Sequence, residues 1–204
     1  METIIIILKV EAGKGRDYLV WALSPDMGRL VFVFKRSKDF YEPGLFRVMR
    51  VRLEKQLNKT TLQLDENSLY KGEVIEILHS YDQLSESYEN FQKACDLAQT
   101  VLQITNQNHA CPLSFKTCLQ AMEDFLNEGE YLAWRVCLFI NFLQDFGALP
   151  DLSNFSAVQQ EFLRRLEQSA ESRQSLPSLS QQKWLEFEFW ALRLLDESGV
   201  RVQI

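Results

Sequence analysis

The stretch Leu45-Phe46-Arg47-Val48-Met49-Arg50-Val51-Arg52-Leu53 has the period of a β-strand. Successive side chains on a strand alternate between faces, so Met49, Val51 and Leu53 point one way while Arg50 and Arg52 point the other. A strand with one apolar and one arginine face is half buried and half solvated. The segments before it share this chemistry. Thr3 to Val10 is a β-branched run, Tyr18 to Leu23 a second apolar stretch and Leu30 to Phe34 a third. Between the last two, Ser24-Pro25-Asp26-Met27-Gly28 supplies a hairpin turn, with Pro25 presetting φ and Gly28 admitting a positive φ.

A polar loop, Lys35 to Gly44, leads into the quoted strand. Asn58-Lys59 then marks a turn, Thr60 to Leu64 a further strand and Glu73 to Leu78 a last extended run. So many short strands within residues 1–80 predict a small closed or nearly closed barrel of the OB type.

The hydrophobic period changes after Tyr81. Leu84, Tyr88, Phe91, Cys95, Ala98 and Leu102 recur at helical spacing, and residues 106–112 interrupt them. Phe115, Leu119, Met122 and Leu126 predict a second helix stopping near Gly129. Tyr131 to Phe146 is apolar almost all round, as befits the centre of a bundle; Gly147 suits its C-terminal cap and Pro150 prevents continuation. Phe155 to Ser172 predicts a fourth helix, and a Ser- and Gln-rich linker runs from Ser169 to Gln182. Ser180 is placed to cap a last helix whose Trp184, Phe187, Ala191 and Leu194 pack inward. The expectation is an α+β chain: an OB-type barrel over residues 1–80, then a helical domain over residues 81–204.

The net charge of −6 is unevenly placed. Residues 1–80 carry 13 Lys and Arg against 11 Asp and Glu, and residues 81–204 carry 9 against 17, so the two parts stand at +2 and −8. This asymmetry says that they face different partners. The apolar run Ile4 to Leu8 is too short for a membrane span and follows Glu2 rather than a basic region, which leaves the cytoplasm as the expected location. Cys95, Cys111, Cys118 and Cys137 form no C-x-x-C pair, so reduced thiols without a metal are expected.

No sequence motif for catalysis is present. Gly13-Lys14-Gly15-Arg16 lacks the spacing of a phosphate loop, and His79 and His109 stand apart from any nucleophile or ligand set. Glu123, Asp124, Glu128 and Glu130 read as a solvated helix face and turn. The informative set is the basic one in the barrel: Lys14, Arg16, Arg29, Lys35, Arg36, Lys38, Arg47, Arg50, Arg52 and Lys55. Phe32, Phe34, Phe40 and Tyr41 are interleaved with it. Cations neutralise phosphates and exposed aromatic faces stack on unpaired bases. The competing reading puts Phe32 and Phe34 in the core and leaves the cations as a solvated surface.

Several segments together resemble the RecO family of bacterial recombination mediators. They are Gly15-Arg16-Asp17-Tyr18-Leu19-Val20, then Ser24-Pro25-Asp26-Met27-Gly28-Arg29-Leu30, then Lys35-Arg36-Ser37-Lys38. Farther on, Leu138, Phe142-Leu143, Phe146-Gly147, Pro150 and Leu152 are similar to that family's helix ending in Leu-Gly followed by Pro-x-Leu. The resemblance implies an OB barrel that binds single- and double-stranded DNA, anneals strands, and helps RecA replace single-stranded-DNA-binding protein together with a RecR-like partner. It implies no enzyme activity and a nucleoid-associated location.

The departures are specific. Many family members carry zinc-binding cysteines just after Pro-x-Leu, where this chain continues Ser153-Asn154-Phe155, so no metal or other cofactor is expected. The last helix ends in Leu195-Asp196-Glu197, acidic where many relatives are basic, and the chain is short for the family. The alternative is an adaptor whose barrel and acidic bundle both bind proteins rather than nucleic acid.

Overall fold

The computed structural model describes residues 1–13, 17–34, 43–55, 70–172 and 176–200. Five strands, β1 (Glu2–Ala12), β2 (Tyr18–Ser24), β3 (Gly28–Phe34), β4 (Arg47–Lys55) and β5 (Tyr70–Ser80), close into a barrel in the order β1-β2-β3-β5-β4, with β4 returning to β1. All pairings are antiparallel except β3 with β5, which run parallel through Phe32–Tyr70, Val33–Lys71 and Phe34–Gly72. The strand expected over Thr60 to Leu64 lies outside the described residues.

The barrel interior is filled by Ile5, Ile7, Val20, Ala22, Leu30, Phe32, Phe34, Met49, Val51, Leu53 and Tyr70. The alternating strand β4 behaves as its pattern requires, with Met49, Val51 and Leu53 buried and Arg50 and Arg52 exposed. β1 does not alternate, and its run of isoleucines has a physical reason. Ile5 and Ile7 enter the barrel, whereas Ile6 and Leu8 point outward into a second core shared with the helices. A strand covered on both faces needs a continuous apolar run. A bulge between Ile7 and Lys9 in the pairing with β2 then turns Lys9 outward to solvent.

A short 3₁₀ turn, Asp82–Glu86, leads from the barrel into α1 (Tyr88–Ile104), α2 (Pro112–Phe125), α3 (Tyr131–Asp145), α4 (Ala157–Ser172) and α5 (Gln181–Glu197). Side-chain oxygens of Ser87 and Ser180 accept the backbone N–H of Asn90 and Lys183, capping α1 and α5. Ser156 and Gln159 form a reciprocal capping box at α4. That helix ends at Ser172, as its apolar spacing predicts, and so takes in the start of the Ser- and Gln-rich stretch that begins at Ser169. α2 starts on Pro112 and has no local cap; instead the Asp145 carboxylate at the end of α3 accepts the N–H groups of Leu113 and Ser114 at 3.0 and 2.8 Å. α3 is central, packed against α1, α2 and α5. Gly147, at φ 67°, ends it with paired bonds from Gly147 N to Gln144 O and from Ala148 N to Leu143 O. α4 joins the core by stacking Phe162 on Phe187 of α5, ring centroids 3.7 Å apart.

Barrel and bundle share one apolar seam. Ile6, Leu8, Leu23, Phe46, Val48 and Tyr81 are continuous with the buried faces of the helices. The β2–β3 turn docks on the α1–α2 connection, with Arg29 N bonded to Asn106 O and Cys111 N to Pro25 O. Gly28 sits at the tightest point of this contact. Its φ is 67°, as its turn requires, and a Cβ there would collide with the carbonyl oxygens of Asn106 and His109.

Candidate nucleic-acid interface

The described cations of the barrel fall into three environments. Arg29 faces the bundle: its Nη1 donates to Leu102 O at 2.7 Å, and its Nε is buried without an acceptor among the described residues. It was expected on a nucleic-acid surface, but the docked β2–β3 turn carries it into the seam. Arg47 donates from Nε and Nη2 to the two carboxylate oxygens of Asp82 at 3.3 and 2.9 Å, tying the start of β4 to the first turn after the barrel. This guanidinium holds the Asp82 carboxyl below the usual carboxylate range.

Arg50 and Arg52 share one outer face, as the alternation of β4 predicts. Arg50 pairs with Glu76 at 3.2 Å, and Arg52 with Glu2 at 2.8 Å and Glu73 at 3.7 Å. Glu54 stands exposed on the same face. With Lys71 across from Glu54, three cations among four carboxylates leave this patch at −1, so it is no cationic surface by itself. Exposed pairs of this kind contribute little to stability, so a phosphate can displace the carboxylate. Lys55 ends β4 opposite Tyr70.

Lys14, Arg16, Lys35, Arg36 and Lys38 lie outside the described residues. The residues that anchor those segments are described, and register brings them together. Ala12 pairs with Tyr18, Tyr18 with Phe34, and Phe34 with Gly72, so the chain leaves β1 and β3 toward both cationic segments from one end of the barrel. Next to this end Lys71 stands exposed, facing Val33 on one side and Glu54 on the other. Among the described barrel cations whose side chains are placed, it alone has no ion pair or hydrogen bond.

The aromatic part of the sequence reading changes more. Phe32 and Phe34 are 1% and 4% exposed and belong to the barrel core, so neither can stack on a base. Phe40 and Tyr41 lie outside the described residues. Among the described barrel residues, an aromatic on the outer surface is Trp21. It is half buried on β2, and the ammonium of Lys9 stands 4.7 Å from its ring centroid. The signal for it was available in the alternation of Val20, Trp21 and Ala22, which sends Trp21 outward whenever its neighbours fill the barrel.

Nothing else described resembles a reactive centre. Burial pushes the Cys111 and Cys118 thiols up to about 12 and that of Cys137 up as well, so they are packed as small apolar groups. Among the described residues no three His, Cys, Asp or Glu side chains gather as metal ligands, and no helix is long and apolar enough to cross a membrane. Asp124 accepts the Trp134 indole N–H at 2.7 Å, which gives one member of the acidic turn a packing role. No protein-family model matches the chain, and no curated protein matches it in sequence.

Proposed function

We propose that the protein is a RecO-like DNA-binding mediator of repair and recombination, whose N-terminal barrel is of the OB type and holds single- and double-stranded DNA. The observation that carries this reading is the barrel order β1-β2-β3-β5-β4 with a parallel β3–β5 pair, which has the five-stranded closure expected of an OB barrel. The convergence of Ala12, Tyr18 and Phe34 at one barrel end supports it, because the sequences leaving that end carry Lys14, Arg16, Lys35, Arg36 and Lys38. The function needs no covalent chemistry. Cations lower the repulsion between two strands while they pair, and a RecR-like protein and single-stranded-DNA-binding protein engage the acidic helical domain.

Equilibrium binding of labelled single-stranded DNA over a salt series, followed by annealing of complementary strands, tests the proposal. The expected result is binding with little sequence preference that weakens steeply with salt, and faster annealing than in free solution. Absence of binding at low salt would remove the reading. A protein-binding adaptor is then the better description, and two observations favour it: the acidic balance of the β4 face, and the exposed apolar pair Leu185 and Phe189 on α5.

A further inference from the structure

We propose that the outer face of α5 docks a cationic amphipathic helix of a partner protein, with Leu185, Phe189 and Leu192 as the apolar contact. The inference rests only on the part of the reading above in which the helical domain recruits a protein, and adds the surface and the chemistry of the partner. α5 carries two apolar stripes. Trp184, Phe187, Trp190, Ala191, Leu194 and Leu195 are buried in the bundle. Leu185, Phe189 and Leu192 recur at spacings of four and three on another side of the helix. Leu185 and Phe189 are 50% and 73% exposed, and Leu192 is half buried. A stripe with this period presents the ridge that a second helix packs against, seating its own apolar side chains one turn apart.

Charge identifies the occupant. Glu188 lies one turn from both Leu185 and Leu192 and pairs with Arg135 of α3 at 2.9 Å. The Arg135 guanidinium carbon is 6.0 Å from the Tyr131 ring centroid, and the Tyr131 hydroxyl meets that of Thr100 on α1 at 3.5 Å. Beside Tyr131, a cleft of about 630 Å³ opens between the start of α1 and the α2–α3 turn, walled by Asn90, Leu126, Glu128, Glu130 and Leu132. The α5 stripe is thus one side of a surface that reaches α1 across the start of α3. Over α1, residues 128–135 and α5 there are eight Asp and Glu and four Lys and Arg. All four cations are already paired, Lys93 with Glu89, Arg135 with Glu188, Lys183 with Glu186 and Arg193 with Glu197. Asp96, Glu128, Glu130 and Asp196 form no ion pair among the described residues, and they leave the surface at −4. A second copy of the chain would bring the same carboxylates against these, and DNA phosphates would be repelled likewise. Lysines or arginines flanking an apolar helix stripe meet both features of the surface.

The experiment uses the full chain and three fluorescein-labelled designed peptides. One is a helix with leucines on one stripe and lysines on its flanks, the second has glutamate for every lysine, and the third scrambles the first so that no stripe remains. Fluorescence anisotropy should show binding of the lysine helix only. Truncating an aromatic anchor at the centre of a contact weakens binding by about tenfold or more, so Phe189→Ser should lose that factor, and Leu185→Ser should also bind more weakly. Both side chains are exposed, so thermal melts should match wild type. Asp196→Lys should weaken the lysine helix more at low salt than at high salt. If the scrambled or glutamate peptide binds equally well, if the serine variants bind the lysine helix unchanged, or if no peptide binds, the docking face is refuted. Concentration-dependent dimers in sedimentation that Phe189→Ser abolishes would make a second copy the occupant and overturn the inference. Labelled single-stranded DNA, titrated in parallel, separates the two claims. Loss of the peptide result with DNA binding intact removes the docking face alone, whereas peptide binding without DNA binding keeps the face and removes the DNA-binding reading.

Discussion

The barrel turns one outer face to the helices and another to solvent, and the same residue types do different work on each. On the seam, Ile6, Leu8, Leu23 and Val48 disappear into a shared core, and Arg29 gives a hydrogen bond to the Leu102 carbonyl. On the open side, Leu19, Trp21, Val31 and Val33 stay half buried, and Arg50 and Arg52 stand among carboxylates. Strand periodicity treats these outward positions alike. It says that a side chain is not in the barrel and leaves open what lies above it. An arginine on a barrel strand is therefore not yet a ligand for phosphate: its partner decides.

The strongest test of this contrast is Leu23→Ala on the seam. Leu23 is fully buried where barrel and helices meet, so truncation should cost about 2–5 kcal/mol. Because the core is shared, denaturation followed by far-ultraviolet dichroism and by tryptophan fluorescence should remain one transition, shifted to lower denaturant. Two separate transitions would mean that barrel and bundle are held independently.

The triple reversal of Lys35, Arg36 and Lys38 to glutamate addresses the open end. It should weaken binding for all sequences alike and flatten the log–log salt dependence on single strands by about 2, since each lost phosphate contact removes about 0.7. An unchanged slope would place the grip elsewhere on the barrel.

Arginine substitutions sharpen the comparison further. Arg29→Ala should lower stability by about 1 kcal/mol through loss of the hydrogen bond to Leu102 and leave DNA affinity untouched. Arg50→Ala with Arg52→Ala should leave the melting temperature nearly unchanged, because all three of their ion pairs are exposed. If Arg29→Ala instead lost DNA affinity at unchanged stability, the seam assignment of that residue would be broken.

The smallest effect concerns Tyr81, at the seam. Burial pushes its phenol up to about 12, and its hydroxyl donates to Leu119 O at 3.3 Å. An unfolded tyrosine ionises near about 10, so the contribution to stability is complete below that pH and is lost as pH rises from there through the folded value. Stability measured across this alkaline range should fall less steeply in Tyr81→Phe than in wild type.

Local chemistry carried much of the fold into view before any contact was known. The positive φ of Gly28 and Gly147, the cap at Ser180 and the change of period after Tyr81 follow from constraints that a few neighbouring residues impose. So does the division of β4 into an apolar and an arginine face. Other features depend on residues far apart in the chain. The Asp145 carboxylate caps α2 from the end of α3, because Cys111 offers no side-chain cap there. Phe32 and Phe34 fill the barrel while Trp21 stays outside, and Arg29 and Arg50 part company because a helix connection covers one end of the strands and not the other. A strand's own sequence sets which side chains share a face. Barrel closure and helix docking set which face is dry and which carboxylate or carbonyl meets each charge, since burial and electrostatic pairing act between neighbours in space.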